Sequence, residues 1–251
     1  MQAFTIALAV FAVSFVFSMM GAGGSQILVP ILFWLGLDFK SGAIPLGLLT
    51  SAITCFSAGL VYLRRGLVRL STGWPFALAV LTGSPLGALL ARPASSRALM
   101  IAFAVVNILV GLLVLRGRSL AGEGGLSREK EVLTGLLVGL GIGFMIGFVA
   151  RDGGPFTMAV LVLMGMDARE AAGTAPFVVA AGCLVAFLVH AFGMAVEAMI
   201  LTPSVAAALV ASQMGARFMS SRLESRTVRI LFTVIMITVG AVILIQALRG
   251  S

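Results

Sequence analysis

Two stretches of this sequence combine residue types that could hold a small anion: Ala150-Arg151-Asp152-Gly153-Gly154-Pro155 and Gly21-Ala22-Gly23-Gly24-Ser25-Gln26. Glycines let backbone N–H groups approach a ligand closely, and Ser25 and Gln26 add side-chain donors. The planar fork of Arg151 matches a sulfonate or carboxylate in paired hydrogen bonds. Placed instead at the end of the preceding helix, the same side chain would satisfy orphan carbonyls. Asp152 also carries two readings. A carboxylate just before Gly153 is a good cap for a helix starting there. An ionised Asp152 would also compete with an anionic substrate for the same N–H groups, which makes it the candidate for proton coupling.

The elements that must position these residues are apolar. The chain has 251 residues, of which 60% are hydrophobic and 10% charged, with a net charge of +8. A soluble domain carries about 25% charged residues, so this composition describes an integral membrane protein. The Arg residues stand in short loops between apolar runs and read as topology signals, with no basic face for nucleic acid. Apolar runs cover Ala3 to Met20 with Ile27 to Leu37, Ala43 to Leu63, Ser71 to Ala91 and Arg97 to Leu115. After a polar linker the same series follows as Val132 to Ala150 with Phe156 to Met166, Ala171 to Phe192, Val196 to Ala216 and Arg226 to Leu248. Most match the roughly 20 residues that span a bilayer, but Ile27 to Leu37 and Phe156 to Met166 make only about 16 Å of helix each.

The two series are one pattern repeated at an offset of 129 residues. Gly36-Leu37-Asp38 matches Gly165-Met166-Asp167, Ala43 matches Ala172, and Gly24 falls on Gly153. This predicts a first repeat over residues 1–125 and a second over 126–251, forming one transport unit. Four crossings per half would divide the basic loop residues evenly, against the positive-inside rule. If each broken element is a re-entrant hairpin followed by three crossings, one side holds twelve, from Arg64 to Arg229, and the other only Lys40, Arg92, Arg97 and Arg249. The expected fold is therefore an all-α polytopic membrane protein of two inverted four-segment repeats. Each repeat starts with a broken re-entrant helical hairpin and continues with three transmembrane helices. Both termini would lie outside a multi-pass cell membrane protein, and the two breaks would meet near the midplane as facing helix N-termini, an anion cradle.

Other polar residues are secondary candidates. Ser51 and Thr174, with Thr50, lie near the starts of the helices that follow the hairpins, where their hydroxyls could reach the site. Membrane hydroxyls more often bond their own helix. Gln213 stands beside Ser212, the counterpart of Ser84 at an offset one residue shorter, and could offer an amide to the cavity. His190, the single histidine, is placed for a rim or relay role. Cys55 and Cys183 lie inside apolar runs without metal spacing and read as packing residues, so no metal or cofactor is expected.

At these residues the sequence resembles a known family. Gly21-Ala22-Gly23-Gly24-Ser25 with Pro30 and Gly36, and Gly153-Gly154-Pro155 with Gly165, Ala172 and Thr174, are similar to the duplicated glycine-rich signature of the sulfite exporter TauE/SafE family of membrane permeases. The resemblance covers nearly the whole chain. It implies transport of sulfur-containing or related organic anions such as sulfite, sulfonates or sulfoacetate. The chain departs from the family pattern at Arg151 and Asp152, where the family more often has a glycine-rich run.

The residues imply a secondary transporter with a substrate site of Gly23, Gly24, Ser25, Gln26, Ser51, Arg151, Asp152, Gly153, Gly154, Thr174 and Gln213. A passive anion channel is the alternative, because half-helices also build pores. No hydrolase motif and no nucleotide-binding motif is present, so neither an enzyme nor an ATP-driven pump is expected. Partners are the small anion and the lipid bilayer, with homodimer formation left open.

Overall fold

The computed structural model describes residues 2–90, 108, 112, 127–149, 152–192 and 194–249. Most of the run from Arg97 to Leu115, and Arg151 itself, lie outside the described residues. Among the described residues there are nine α-helices, α1 Gln2–Ser18, α2 Ser25–Trp34, α3 Ile44–Arg64, α4 Leu70–Leu90, α5 Arg128–Val149, α6 Gly154–Leu163, α7 Ala168–His190, α8 Ala198–Arg222 and α9 Ser225–Arg249, with a π-helical turn Phe39–Ala43 leading into α3. Among the described residues there is no strand. Among the described residues, five helical segments are long and apolar enough to cross a membrane: Ser41–Arg64, Leu70–Leu90, Arg128–Phe148, Ala168–His190 and Ala198–Arg222. Bulky apolar side chains such as Phe4, Trp74, Leu89 and Met199 face outward, as a hydrocarbon solvent permits.

The repeat is visible in the elements themselves. Adding 129 to the bounds of α2, residues 25 and 34, gives 154 and 163, the bounds of α6. With 10 residues each, these helices rise about 15 Å, half the hydrocarbon thickness. They stop in the same way. Gly36 and Gly165 both take φ 93, and the next residue donates back five positions, Leu37 N–H to the Leu32 carbonyl at 3.1 Å and Met166 N–H to the Leu161 carbonyl at 3.0 Å. That left-handed glycine cap is the Schellman closure, which a side chain at either position would strain.

Contacts between residues set the relative directions. Thr54 Oγ1 donates to Ser14 Oγ at 3.0 Å and Tyr62 Oη to the Ser18 carbonyl at 2.6 Å, so α1 and α3 run the same way. Ser25 N–H donates to Ser51 Oγ, while Gly47 faces Val29, so α2 runs back along α3. Cys55 meets Cys183 and Gly59 meets Phe177, which makes α3 and α7 antiparallel. Both thiols are free and buried.

The most extensive pairings join the two series: α4 on α5, α1 on α8, and α3 on α7. Since α1 corresponds to α5 and α4 to α8, the first two pairings are counterparts of each other, as are α4 on α7 and α3 on α8. Small residues allow this closeness. Along α4 and α5, Gly83 and Gly87 face the backbone of Leu140, Phe144 and Phe148, while Gly143 and Gly147 face that of Val80, Ser84 and Ala88. A Cβ at Gly147 would run into the Ser84 carbonyl, and at Gly141 it would meet nothing within 4 Å. Gly147→Val is therefore expected to lower the thermal midpoint of the purified protein by several degrees, while Gly141→Ala leaves it unchanged or slightly raised, because Ala is the better helix former. Equal effects at the two positions would contradict close backbone packing of α4 on α5.

Candidate substrate site

Both chain breaks follow from glycine at the point where a helix must restart. Helix α2 starts after Gly24, held at φ 87 ψ 3, a left-handed conformation that glycine adopts freely. Helix α6 starts after Gly153, with Pro155 in its first turn, where a missing N–H costs nothing. Neither N-cap residue has a side chain to bond the free N–H groups of its helix. Those groups need an acceptor from elsewhere.

Asp152 provides it for both helices. Its Oδ2 accepts from Gly24 N–H at 2.8 Å and Ser25 N–H at 3.0 Å, at the start of α2, with Ser25 Oγ at 3.4 Å. Its Oδ1 accepts from Gly154 N–H at 3.1 Å, at the start of α6. Gly23 adds a further backbone contact to the carboxylate. In return, Ser25 Oγ accepts the Asp152 N–H at 2.8 Å. Ser25 N–H is shared with Ser51 Oγ at 2.9 Å, which fixes α3 against the same point. Asp152 is 1% exposed, and Ser25, Gln26 and Ser51 are fully buried. A single carboxylate thus joins the positive ends of two helix dipoles, one from each series, and these oriented N–H groups offset part of the cost of burying its charge.

Glycine makes the approach of the two breaks possible. A Cβ on Gly154 would lie 2.6 Å from Ala22 Cα and 2.7 Å from the Gly21 carbonyl oxygen, and one on Gly23 would lie 2.5 Å from Ser51 Cβ. The end of α1 is anchored by Tyr62, whose hydroxyl takes the Ser18 carbonyl at 2.6 Å just before the chain turns.

Of the residues the sequence nominates, Gly23, Gly24, Ser25, Ser51, Asp152 and Gly154 are gathered at this point, with Gly153 between two of them. Gln26 is the next residue of α2. Thr174 is not brought there, since its Oγ1 accepts the Arg69 N–H at 3.0 Å ahead of α4. Gln213 is exposed, and its Oε1 accepts from Arg217 Nη2 at 3.2 Å on the outside of α8. Thr50 bonds the Leu46 and Gly47 carbonyls of its own helix. His190 ends α7 and contacts the Gly147 backbone. Arg151 lies outside the described residues. Sequence reasoning takes Asp152 as a cap for its own short helix and overlooks that it also caps the other one. The available signal is positional: 152 minus 129 is 23, so the carboxylate stands at the counterpart of Gly23, ahead of two helices that both lack a capping side chain.

Membrane-length helices, two half-length helices with opposed starts, and a buried polar point joining them define a polytopic membrane protein of the transporter class. The chain belongs to the sulfite exporter TauE/SafE family, whose family model matches residues 6–243. It is also similar to a protein of Haemophilus influenzae (strain ATCC 51907 / DSM 11121 / KW20 / Rd) named "Probable membrane transporter protein", 30% identical over 169 residues. That match covers 66% of this chain and 66% of the relative, just under two thirds of each. No solved structure matches the chain.

Proposed function

We propose that this protein is a secondary transporter of small sulfur-containing or related organic anions, of the sulfite, sulfonate or sulfoacetate type. It works by alternating access about the point where two inverted repeats meet, each repeat opening with a re-entrant hairpin. The observation that carries this reading is the Asp152 carboxylate shared between the starts of α2 and α6. A carboxylate is itself a small oxyanion, so the point that holds Asp152 has the donors a substrate oxyanion needs. Support for the inverted arrangement comes from the antiparallel run of α3 against α7, from the return of α2 along α3, and from the excess of Arg and Lys on one set of loops.

In this mechanism the ionised Asp152 keeps the N–H groups of Gly24, Ser25 and Gly154 to itself. Protonation removes the charge that holds it there, and a substrate anion then takes the freed donors. One proton is thereby exchanged for one site, and anion movement is coupled to it. Arg151, directly before Asp152 in sequence, supplies a second charge for the anion. Transport by the native protein in proteoliposomes is expected to rise as pH falls. Asp152→Asn, which bears no charge at any pH, is expected to transport at a rate that no longer follows pH. An unchanged pH profile in the variant would remove Asp152 from the coupling. Saturation and counterflow in the same vesicles separate a carrier from a channel, which would pass current without either.

A further inference from the structure

Gln26 follows Ser25 in the first turn of α2 and is fully buried, and neither its Nε2 nor its Oε1 has a hydrogen-bond partner. A buried primary amide with both ends unpaired is costly to keep. Helical side chains lean toward the N-terminus of their helix, and the N-terminus of α2 is the end where the Asp152 carboxylate is bound. At the counterpart position in the other series, 26 plus 129, stands Pro155, which has no polar side chain. The two series therefore contribute different chemistry at one point, a carboxylate from the second and a neutral amide from the first.

We infer that Gln26 is the specificity-determining residue of this site, and that its ligand is a small oxyanion carrying an O–H donor beside its charged group. The inference rests on the anion-carrier reading above. The backbone N–H groups bind the charged oxygens and have no acceptor to offer. The Gln26 amide supplies both a donor and an acceptor, so its Oε1 takes the ligand O–H while its Nε2 donates to a ligand oxygen. A ligand lacking the O–H leaves Oε1 unpaired on closure, and such a mismatch is what a hydrogen-bonding site rejects. The O–H has two sources, a hydroxyl substituent or a retained acid proton.

The test uses thermal shift and counterflow with the purified full chain and two ligand pairs at neutral pH. Ethanesulfonate against 2-hydroxyethanesulfonate differs by a substituent hydroxyl, and sulfate against phosphate differs by a retained proton. The native protein is expected to prefer the O–H-bearing member of at least one pair by about tenfold, the worth of one hydrogen bond left unmade, and the pair concerned identifies the source. In Gln26→Leu that preference disappears, while the ligand-free protein melts at the same temperature or higher, because an unpaired buried amide has been removed. If Gln26→Leu fails to fold, Gln26→Met and the native preference decide the matter. Equal binding of both members in the native protein overturns the role of Gln26 and leaves the anion carrier standing. Binding of none of the four overturns the carrier reading, and this inference with it.

Discussion

Replacing Asp152 by Ala is expected to lower the thermal midpoint by several degrees, and sulfite or formate at millimolar concentration is expected to restore part of the loss. The side chain bonds Gly24, Ser25 and Gly154 N–H groups at a fully enclosed point. Without it the Gly24 and Gly154 N–H groups lose their acceptor while Ser25 N–H keeps only Ser51 Oγ, at about 1–3 kcal/mol for each donor left unsatisfied. Relief from burying a carboxylate offsets some of this, so the net cost is on the order of 2–4 kcal/mol. The hole left behind has the size of a carboxylate and is lined by N–H groups of two helix ends, so a free oxyanion binds there and stabilises by mass action. Asp152→Asn retains an acceptor and should melt closer to the native protein. A melting temperature for Asp152→Ala that matches the native value, or one that no anion raises, contradicts the capping role.

Gly154→Ala, the addition of one methyl group, is expected to reduce transport about a hundredfold, the scale of loss that a misplacement of roughly 1 Å produces at a reacting or binding centre. The new Cβ would stand 2.6 Å from Ala22 Cα and 2.7 Å from the Gly21 oxygen, both backbone atoms of the other break. No side chain can turn away to make room, so the breaks must separate, and the Gly24 bond to Asp152 at 2.8 Å then exceeds hydrogen-bond range. Unlike the loss in Asp152→Ala, this one should not respond to added anions, since the donors no longer converge. Native transport by a Gly154→Ala protein would show that the two breaks do not work as a unit.

Much of the framework is legible in the residues. Composition and the lengths of the apolar runs identify a membrane protein, and the glycines after Met20 and Asp152 mark where α1 and α5 are followed by half-length helices. The match of 25–34 to 154–163 is implicit in the offset that places Gly24 on Gly153. The lateral arrangement is not legible, because lipid and protein interior are equally apolar and the hydrophobic pattern does not tell one face of a helix from another. Gln213 shows this: its position beside Ser212 suggests an inward amide, yet α8 turns it outward to Arg217. Thr174 fails for a related reason, since distance along α7 from the break says nothing about the side of the helix, and its hydroxyl belongs to the loop before α4. A capping contact between residues 24 and 152 depends on how two separated segments pack, which only the folded chain specifies.

The cross-pairing of helices has a mechanical meaning. Since α1 lies against α8 and α5 against α4, with α3 and α7 crossing between them, a cut between residues 125 and 126 does not divide the molecule into two bodies that could slide past one another. Parting the chain along its sequence boundary would tear its widest interfaces. For the alternating access proposed above, the blocks that would move are α1 with α8 and α4 with α5, each assembled from both copies, with the antiparallel α3 and α7 between them. The pair of glycine breaks lies where those blocks meet, so that a small rotation of either one changes the spacing of the donors around Asp152.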